Sequence, residues 1–142
     1  QNPIAAMLWE FESLFAHQNK MKLDSYNNLL ELFFDQYKKQ DKNKIFLTNL
    51  GNPQNKLSWE KTYLLVNHLS NQISKDIKLG DRCILISENR PEWLISDLAI
   101  MLAGGISVPS YTTYTTKDYE YIIQDCEPSV VIVSNNIQFE KI

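Results

Sequence analysis

Glycine is scarce in this chain, with four in 142 residues: Gly51, Gly80, Gly104 and Gly105. None falls into G-x-G-x-x-G or G-x-x-x-x-G-K-[ST], so neither a dinucleotide fingerprint nor a phosphate loop is present. Two cysteines, Cys83 and Cys126, lie far apart in apolar surroundings without a C-x-x-C pair, which argues against a disulfide framework or a zinc site and for reduced core thiols. Histidine occurs twice, at His17 and His68, without metal-ligand spacing. Long apolar runs are also missing. The stretch from Trp93 to Ala103 is broken by Ser96 and Asp97 and falls short of the roughly 20 residues that span a bilayer.

Excess positive charge is absent as well. Residues 1–79 carry ten Lys/Arg against eight Asp/Glu, and residues 80–142 carry four against nine, which leaves no nucleic-acid footprint. The densest basic stretch, Lys38, Lys39, Lys42 and Lys44, falls where a helical pattern ends, and cations suit that end. No basic, apolar and small-residue sequence of a secretory leader opens the chain, and a cytoplasmic protein is the expectation. Without an initiator Met, and ending just after a strand-like run, the chain is expected to be cut at both ends.

What is present is a soluble globular composition, 44% hydrophobic and 22% charged, with clear changes of period. Residues 1–23 read only as an N-terminal arm or short helix. Tyr26, Leu29, Leu30, Phe33 and Tyr37 mark one face of a helix ending near Lys39, with Asp24 or Ser25 as its cap. Ile45–Leu50, a turn at Gly51-Asn52-Pro53 and Lys56–Trp59 read as a short hairpin. Ser58 caps a helix whose stripe is Leu65, Val66, Leu69 and Ile73.

From Gly80 onward the pattern becomes regular. Cys83–Ile86 is a continuous apolar strand, and Asn89 with Glu92 has capping-box spacing around Pro91. A nearly all-apolar helix to Ala103 ends at Gly104-Gly105, and Ile106–Pro109 is the next strand. Thr115-x-x-Asp118 opens a helix marked by Tyr119, Ile122, Ile123 and Cys126, and Val130–Val133 is a third strand. Non-alternating strands joined by helices predict the fold class α/β: a parallel sheet flanked by helices, with right-handed crossovers and a short N-terminal hairpin.

Ligands in such folds bind beyond the carboxyl ends of the strands, here Ser87–Asn89, Pro109–Thr113 and Ser134–Asn136. The hydroxyl cluster from Ser110 to Thr116 has no G-x-S-x-G elbow or nearby His and reads as turn plus cap. Glu88 with Glu92 reads as a capping pair, Asp97 as a hydrogen-bonded core carboxylate, and Arg90 as half of a surface salt bridge. No residue is assigned a catalytic, cofactor-binding or metal-binding role, and no substrate-contacting residue is named.

The combination Gly80-Asp81-Arg82, Ser87-Glu88-Asn89-Arg90-Pro91-Glu92-Trp93 and Val108-Pro109-x-Tyr111 closely resembles the start of long-chain fatty acyl-CoA synthetases, which are AMP-forming adenylate-forming enzymes. The likeness runs from about Leu57 to Ser134, taking in Ser58-Trp59 and the run Asp97–Ala103. Thr112 stands where many relatives have a second proline, and Cys83 where a β-branched residue is common. The resemblance implies a ligase of lipid metabolism using fatty acid, ATP, Mg²⁺ and coenzyme A. It places residues 24–142 in the incomplete N-terminal portion of an AMP-dependent synthetase/ligase domain. The family's phosphate loop, later nucleotide motifs and catalytic lysine have no counterpart in this chain, so a structural role is expected, with residues near Pro109–Tyr114 lining the acyl tunnel or its entrance. A homodimer and peripheral membrane attachment stay open. So do a ligase for another carboxylic acid, a free-standing non-catalytic α/β module, and a receiver- or flavodoxin-like nucleotide binder; the last lacks the expected acidic cluster or phosphate loop.

Overall fold

In the computed structural model, which describes residues 26–142, the first helix is α1 (Leu29–Lys39). Its cap is Asn28, whose side chain accepts from the Glu31 N–H, so the helix starts later than the Asp24 or Ser25 cap expected from sequence. Both of those residues, the 1–23 arm and His17 lie outside the described residues. Hydrogen bonds from the Asn27 backbone N–H and side-chain amide to Glu31 complete the turn and compete with starting the helix earlier.

The hairpin is β1 (Ile45–Asn49) and β2 (Asn52–Ser58), antiparallel and separate from the main sheet. β2 begins at Asn52 and takes in Pro53, residues the sequence assigns to the turn. The reversal is tighter because the Asn49 side chain accepts from the Gly51 and Asn52 N–H groups. Trp59 starts α2 (Trp59–Ile73) instead of ending the strand, and Ser58 caps that helix by accepting from the Lys61 N–H.

Aromatic packing ties these elements together. The Phe46 and Trp59 rings stack at 3.8 Å, and Phe33 lies 6.0 Å from Trp59. Tyr37 stacks on Tyr63 at 4.1 Å and donates its hydroxyl to Glu60 at 2.6 Å, a bond that pushes the phenol up to about 12. His68 on α2 is exposed.

The main sheet holds β3 (Arg82–Ile86), β4 (Ile106–Ser110) and β5 (Val130–Val133), all parallel, in the order β4-β3-β5. Its connections are α3 (Pro91–Leu102) and α4 (Thr116–Cys126), and α5 (Asn136–Phe139) follows β5. Side chains alternate along β3: Cys83 and Leu85 pack with Ile73, Ala99 and Ile100 of α2 and α3, while Ile84 and Ile86 pack with Tyr119 of α4. β3 is therefore buried on both faces, which is why its sequence is apolar without alternation. Cys83 is a fully buried free thiol, pushed up by burial, and Cys126 is free and half-buried.

Two sequence expectations are corrected around α3. Its N-cap is Arg90, not Asn89, and makes no side-chain capping bond. Pro91 forces the residue before it into extended backbone, so the cap falls one residue late for a box with Glu92. Asp97 is half-buried at the edge of the core, where a carboxylate keeps part of its hydration. At the other end, Gly105 N–H bonds to Ile100 O at 2.9 Å and Gly104 N–H to Met101 O at 3.1 Å, with Gly104 at φ +88°. That is a Schellman motif, and it needs a left-handed residue at Gly104.

The capping box predicted at α4 is fully formed. Thr115 Oγ1 accepts from the Asp118 N–H, and the Asp118 carboxylate accepts from the Thr115 N–H at 2.8 Å and its hydroxyl at 2.7 Å. These donors hold the Asp118 carboxyl below its usual range, and the Lys78 N–H with the Ser129 hydroxyl does the same for Asp81. A depressed folded pKa contributes stability that is complete above the unfolded value near 4 and is lost as pH falls toward the folded one. The thermal midpoint should therefore drop as pH is lowered from about 6 to about 3. A double Asp81→Asn, Asp118→Asn variant followed by circular dichroism should show a flatter profile over that range. Thr115→Ala should cost about 0.5–2 kcal/mol at neutral pH.

Candidate functional site

α3 covers one face of the sheet and α4 the other, so the loops leaving β3 and β4 diverge, and a cleft opens between the carboxyl ends of those two strands. Its volume is about 580 Å³, and it is lined by Ser87, Glu88, Asn89 and Trp93 on one side and Pro109, Ser110, Tyr111 and Thr112 on the other. Two of the three loops picked from sequence thus meet in one site. The third, Ser134–Asn136, touches it indirectly: the Glu88 carboxyl is held below its usual range first by its own backbone N–H and then by the Ser134 hydroxyl.

The cleft floor carries a polar group without a partner. Ser110 is 7% exposed, and its Oγ makes no hydrogen bond among the described residues. A buried unpaired hydroxyl is costly, and a ligand that supplies a partner recovers that cost. Trp93 reaches the cleft from the first turn of α3, and Tyr111 stands 71% exposed at its rim.

The loop after β4 is braced from behind. Tyr119, buried on α4, donates its hydroxyl to the Tyr111 carbonyl at 2.7 Å, and the same carbonyl accepts from the Tyr114 N–H at 3.1 Å. Lys141 donates to the carbonyls of Thr112 at 2.8 Å and Tyr114 at 3.2 Å. Gln138, itself buried, meets the Tyr119 hydroxyl at 3.3 Å. Burial pushes the Tyr119 phenol up, so it stays a donor at neutral pH. Sequence reading missed Trp93, the unpaired Ser110 and this brace. The side-chain bonds of the brace join residues 8 to 29 positions apart and leave no periodic trace.

Arg90 pairs with Glu92 at 3.5 Å on the surface, as expected. Among the described residues no three His, Cys, Asp or Glu side chains come together to hold a metal ion. The charged group lining the cleft is the anion Glu88, which repels phosphate. No helix among the described residues is long and apolar enough to cross a membrane.

A family model described as AMP-binding enzyme matches residues 33–142. The chain belongs to the AMP-binding enzyme family. Curated relatives of this chain include the long-chain-fatty-acid–CoA ligase ACSBG1 of Homo sapiens, 31% identical over 121 residues, or 84% of this chain and 15% of that protein. Another is the long-chain-fatty-acid–CoA ligase FadD15 of Mycobacterium tuberculosis, 34% identical over 64 residues, or 45% of this chain and 11% of that protein. The chain thus spans about 15% of the length of the first of these.

Among solved structures, the fold here is similar to the anthranilate CoA ligase AuaEII in complex with anthranoyl-AMP, with a TM-score of 0.69 and 25% identity. That match covers 80% of this chain and 22% of that one. Apo MatB from Rhodopseudomonas palustris matches with a TM-score of 0.62 and 28% identity over 72% of this chain and 20% of its own. The motifs from Gly80 to Tyr111 and the α/β fold class agree with these findings.

Proposed function

We propose that this AMP-binding chain is the N-terminal portion of an ATP-dependent long-chain fatty acid–CoA ligase, residues 24–142 contributing sheet and helices to its large domain. Its role in this reading is structural, and the cleft at Pro109–Tyr114 is one wall of the region that receives the acyl substrate. The supporting observation is the cleft itself: an aromatic-edged pocket with a buried unpaired hydroxyl and Glu88 as its charged liner, at the carboxyl ends of parallel strands, in a chain similar over 84% of its length to a fatty-acid ligase.

The chemistry proposed for the whole protein has two displacements. A carboxylate oxygen attacks the α-phosphorus of ATP and pyrophosphate leaves, giving an acyl-adenylate. The thiol of coenzyme A, losing its proton, then attacks the acyl carbon and AMP leaves with the bonding electrons. Adenylation supplies the leaving group that a bare carboxylate lacks. Mg²⁺ would offset charge on the phosphates. Residues 26–142 supply a rigid scaffold and an acyl-facing wall, held by the brace on the Tyr111–Tyr114 loop.

Pyrophosphate release from Mg-ATP, measured with a panel of fatty acids on this chain and on the complete reading frame, tests the proposal. Turnover is expected in the longer protein alone, fastest with long-chain acids. Turnover by residues 1–142 would overturn the structural role, and turnover by neither would favour a non-catalytic module. The similarity to an anthranilate CoA ligase supports one second reading, an AMP-forming ligase for another acid, which aromatic or short acids being preferred would establish. In an active full-length protein, Tyr111→Ala should shift chain-length preference; an unchanged preference would remove the cleft from the acyl path.

A further inference from the structure

Three tyrosines run in line from the core to the rim of the cleft. Tyr119 is fully buried and shares a cluster with Ile84 and Ile86 of β3. The Tyr114 ring meets Tyr119 edge-on at 6.0 Å, and the Tyr111 ring meets Tyr114 edge-on at 5.4 Å, the arrangement that the ring quadrupoles favour. Tyr111 is thus held twice by one buried residue: its carbonyl by the Tyr119 hydroxyl, and its ring through Tyr114.

The backbone of the same loop is engaged from outside it. The carbonyls of Tyr111, Thr112 and Tyr114 all accept from side chains rooted on α4 or beyond α5, namely Tyr119 and Lys141. Changing the loop's conformation breaks these bonds together, so the loop is locked by groups that do not themselves line the cleft. The segment after β5 also reaches the opposite wall. The Ser134 N–H bonds to the Ile86 carbonyl at 2.9 Å, next to the cleft liner Ser87, while Gln138 and Lys141 meet Tyr119 and the loop. One short stretch is therefore tied to both sides of the cleft.

We propose that Tyr119 and Lys141 are positioning residues that hold Tyr111 at the rim and so set which acyl chains the cleft accepts, a role that rests on the cleft being an acyl-facing wall. Each acts through the loop's carbonyls, and neither takes part in the chemical steps.

The test has two arms. In the complete protein, Tyr119→Phe keeps the ring and removes the donor, and Lys141→Met removes the charged donor. Both should raise KM for long-chain acids severalfold with kcat nearly unchanged, while acids too short to reach the cleft keep their KM, and Lys141→Arg should restore most of the loss. An equal loss on short and long acids, or no change on either, would overturn the proposal. In the full 142-residue chain, shown to be folded by circular dichroism, Tyr119→Phe should speed exchange of the Tyr114 amide severalfold and leave the amides of α1 and α2 unchanged. Unchanged exchange at Tyr114 would overturn the brace whatever the kinetics. Faster exchange there, with Tyr111→Ala leaving chain-length preference unaltered, would instead fault the acyl reading and overturn the selecting role alone.

Discussion

Trp59→Ala should lower the unfolding free energy of the chain by about 3–5 kcal/mol, measured by urea denaturation. Domains of this size are stable by about 5–15 kcal/mol in all, so this one change removes a large share. The reason is position as much as size. Trp59 is the first residue of α2, its ring stacks on Phe46 of β1 and faces Phe33 of α1, and Val66, Ile95 and Leu98 complete the same buried cluster. Truncation leaves a cavity shared by three elements, none of which can collapse without moving the others. Trp59→Phe keeps an aromatic face against Phe46 and should cost clearly less. If Trp59→Ala costs under about 1 kcal/mol, the aromatic cluster is not what joins α1 and the hairpin to the rest.

The second large effect is expected at the paired glycines ending α3, for a different reason at each. Gly104 has φ +88°, a conformation that costs an L-residue about 1–2 kcal/mol, so Gly104→Ala is strained whatever the space around it. Gly105 has no such backbone demand. A Cβ there would lie 3.0 Å from Ile77 Cδ1, 3.1 Å from Ile100 Cγ2 and 3.2 Å from Cys83 Sγ, between α3 and the start of the sheet. Gly105→Val should therefore cost about 1–3 kcal/mol or more by overpacking. A double-mutant cycle separates the two. Ile77→Ala should rescue part of the Gly105→Val loss and none of the Gly104→Ala loss, and equal behaviour at both positions would contradict this division.

The parallel sheet was legible because β3 is buried on both faces and β5 is half-buried along its whole length, so burial wrote itself into Cys83–Ile86 and Val130–Val133 as unbroken apolar runs. The Thr115 and Asp118 box was legible for a similar reason, since both bonds lie within one turn. β2 was harder: Asn52, Pro53, Gln54 and Asn55 have no strand character of their own, and they sit in a register shift where Asn52 pairs with Asn49 and the next pair is Lys56 with Thr48. The start of α1 was misplaced because Tyr26 fits the helical spacing, yet its hydroxyl bonds to Asp35 from outside the helix. At α3 the shift from Asn89 to Arg90 came from proline sterics overriding side-chain spacing.

For the cleft, strand ends gave the loops but not their contents. Trp93 belongs to a helix whose period marks it as core, and the unpaired state of Ser110 depends on where every neighbouring donor points. The Lys141 bonds to Thr112 and Tyr114 carbonyls depend on how the chain returns after β5, which no local pattern encodes.

The strand order has a consequence for how the chain is made. β3 sits between β4 and β5, and both neighbours come later in the sequence. On the ribosome, the most buried strand of this sheet emerges first, and β5 follows only about 44 residues after β3 ends. At a synthesis rate of about 5–20 residues per second, that is a wait of roughly 2–9 s before β3 has both partners. Early in that interval α2, already made, shelters Cys83 and Leu85 and α3 soon joins it, while Ile84 and Ile86 wait for α4. The nascent chain is thus most in need of a chaperone between the appearance of Arg82 and that of Val133.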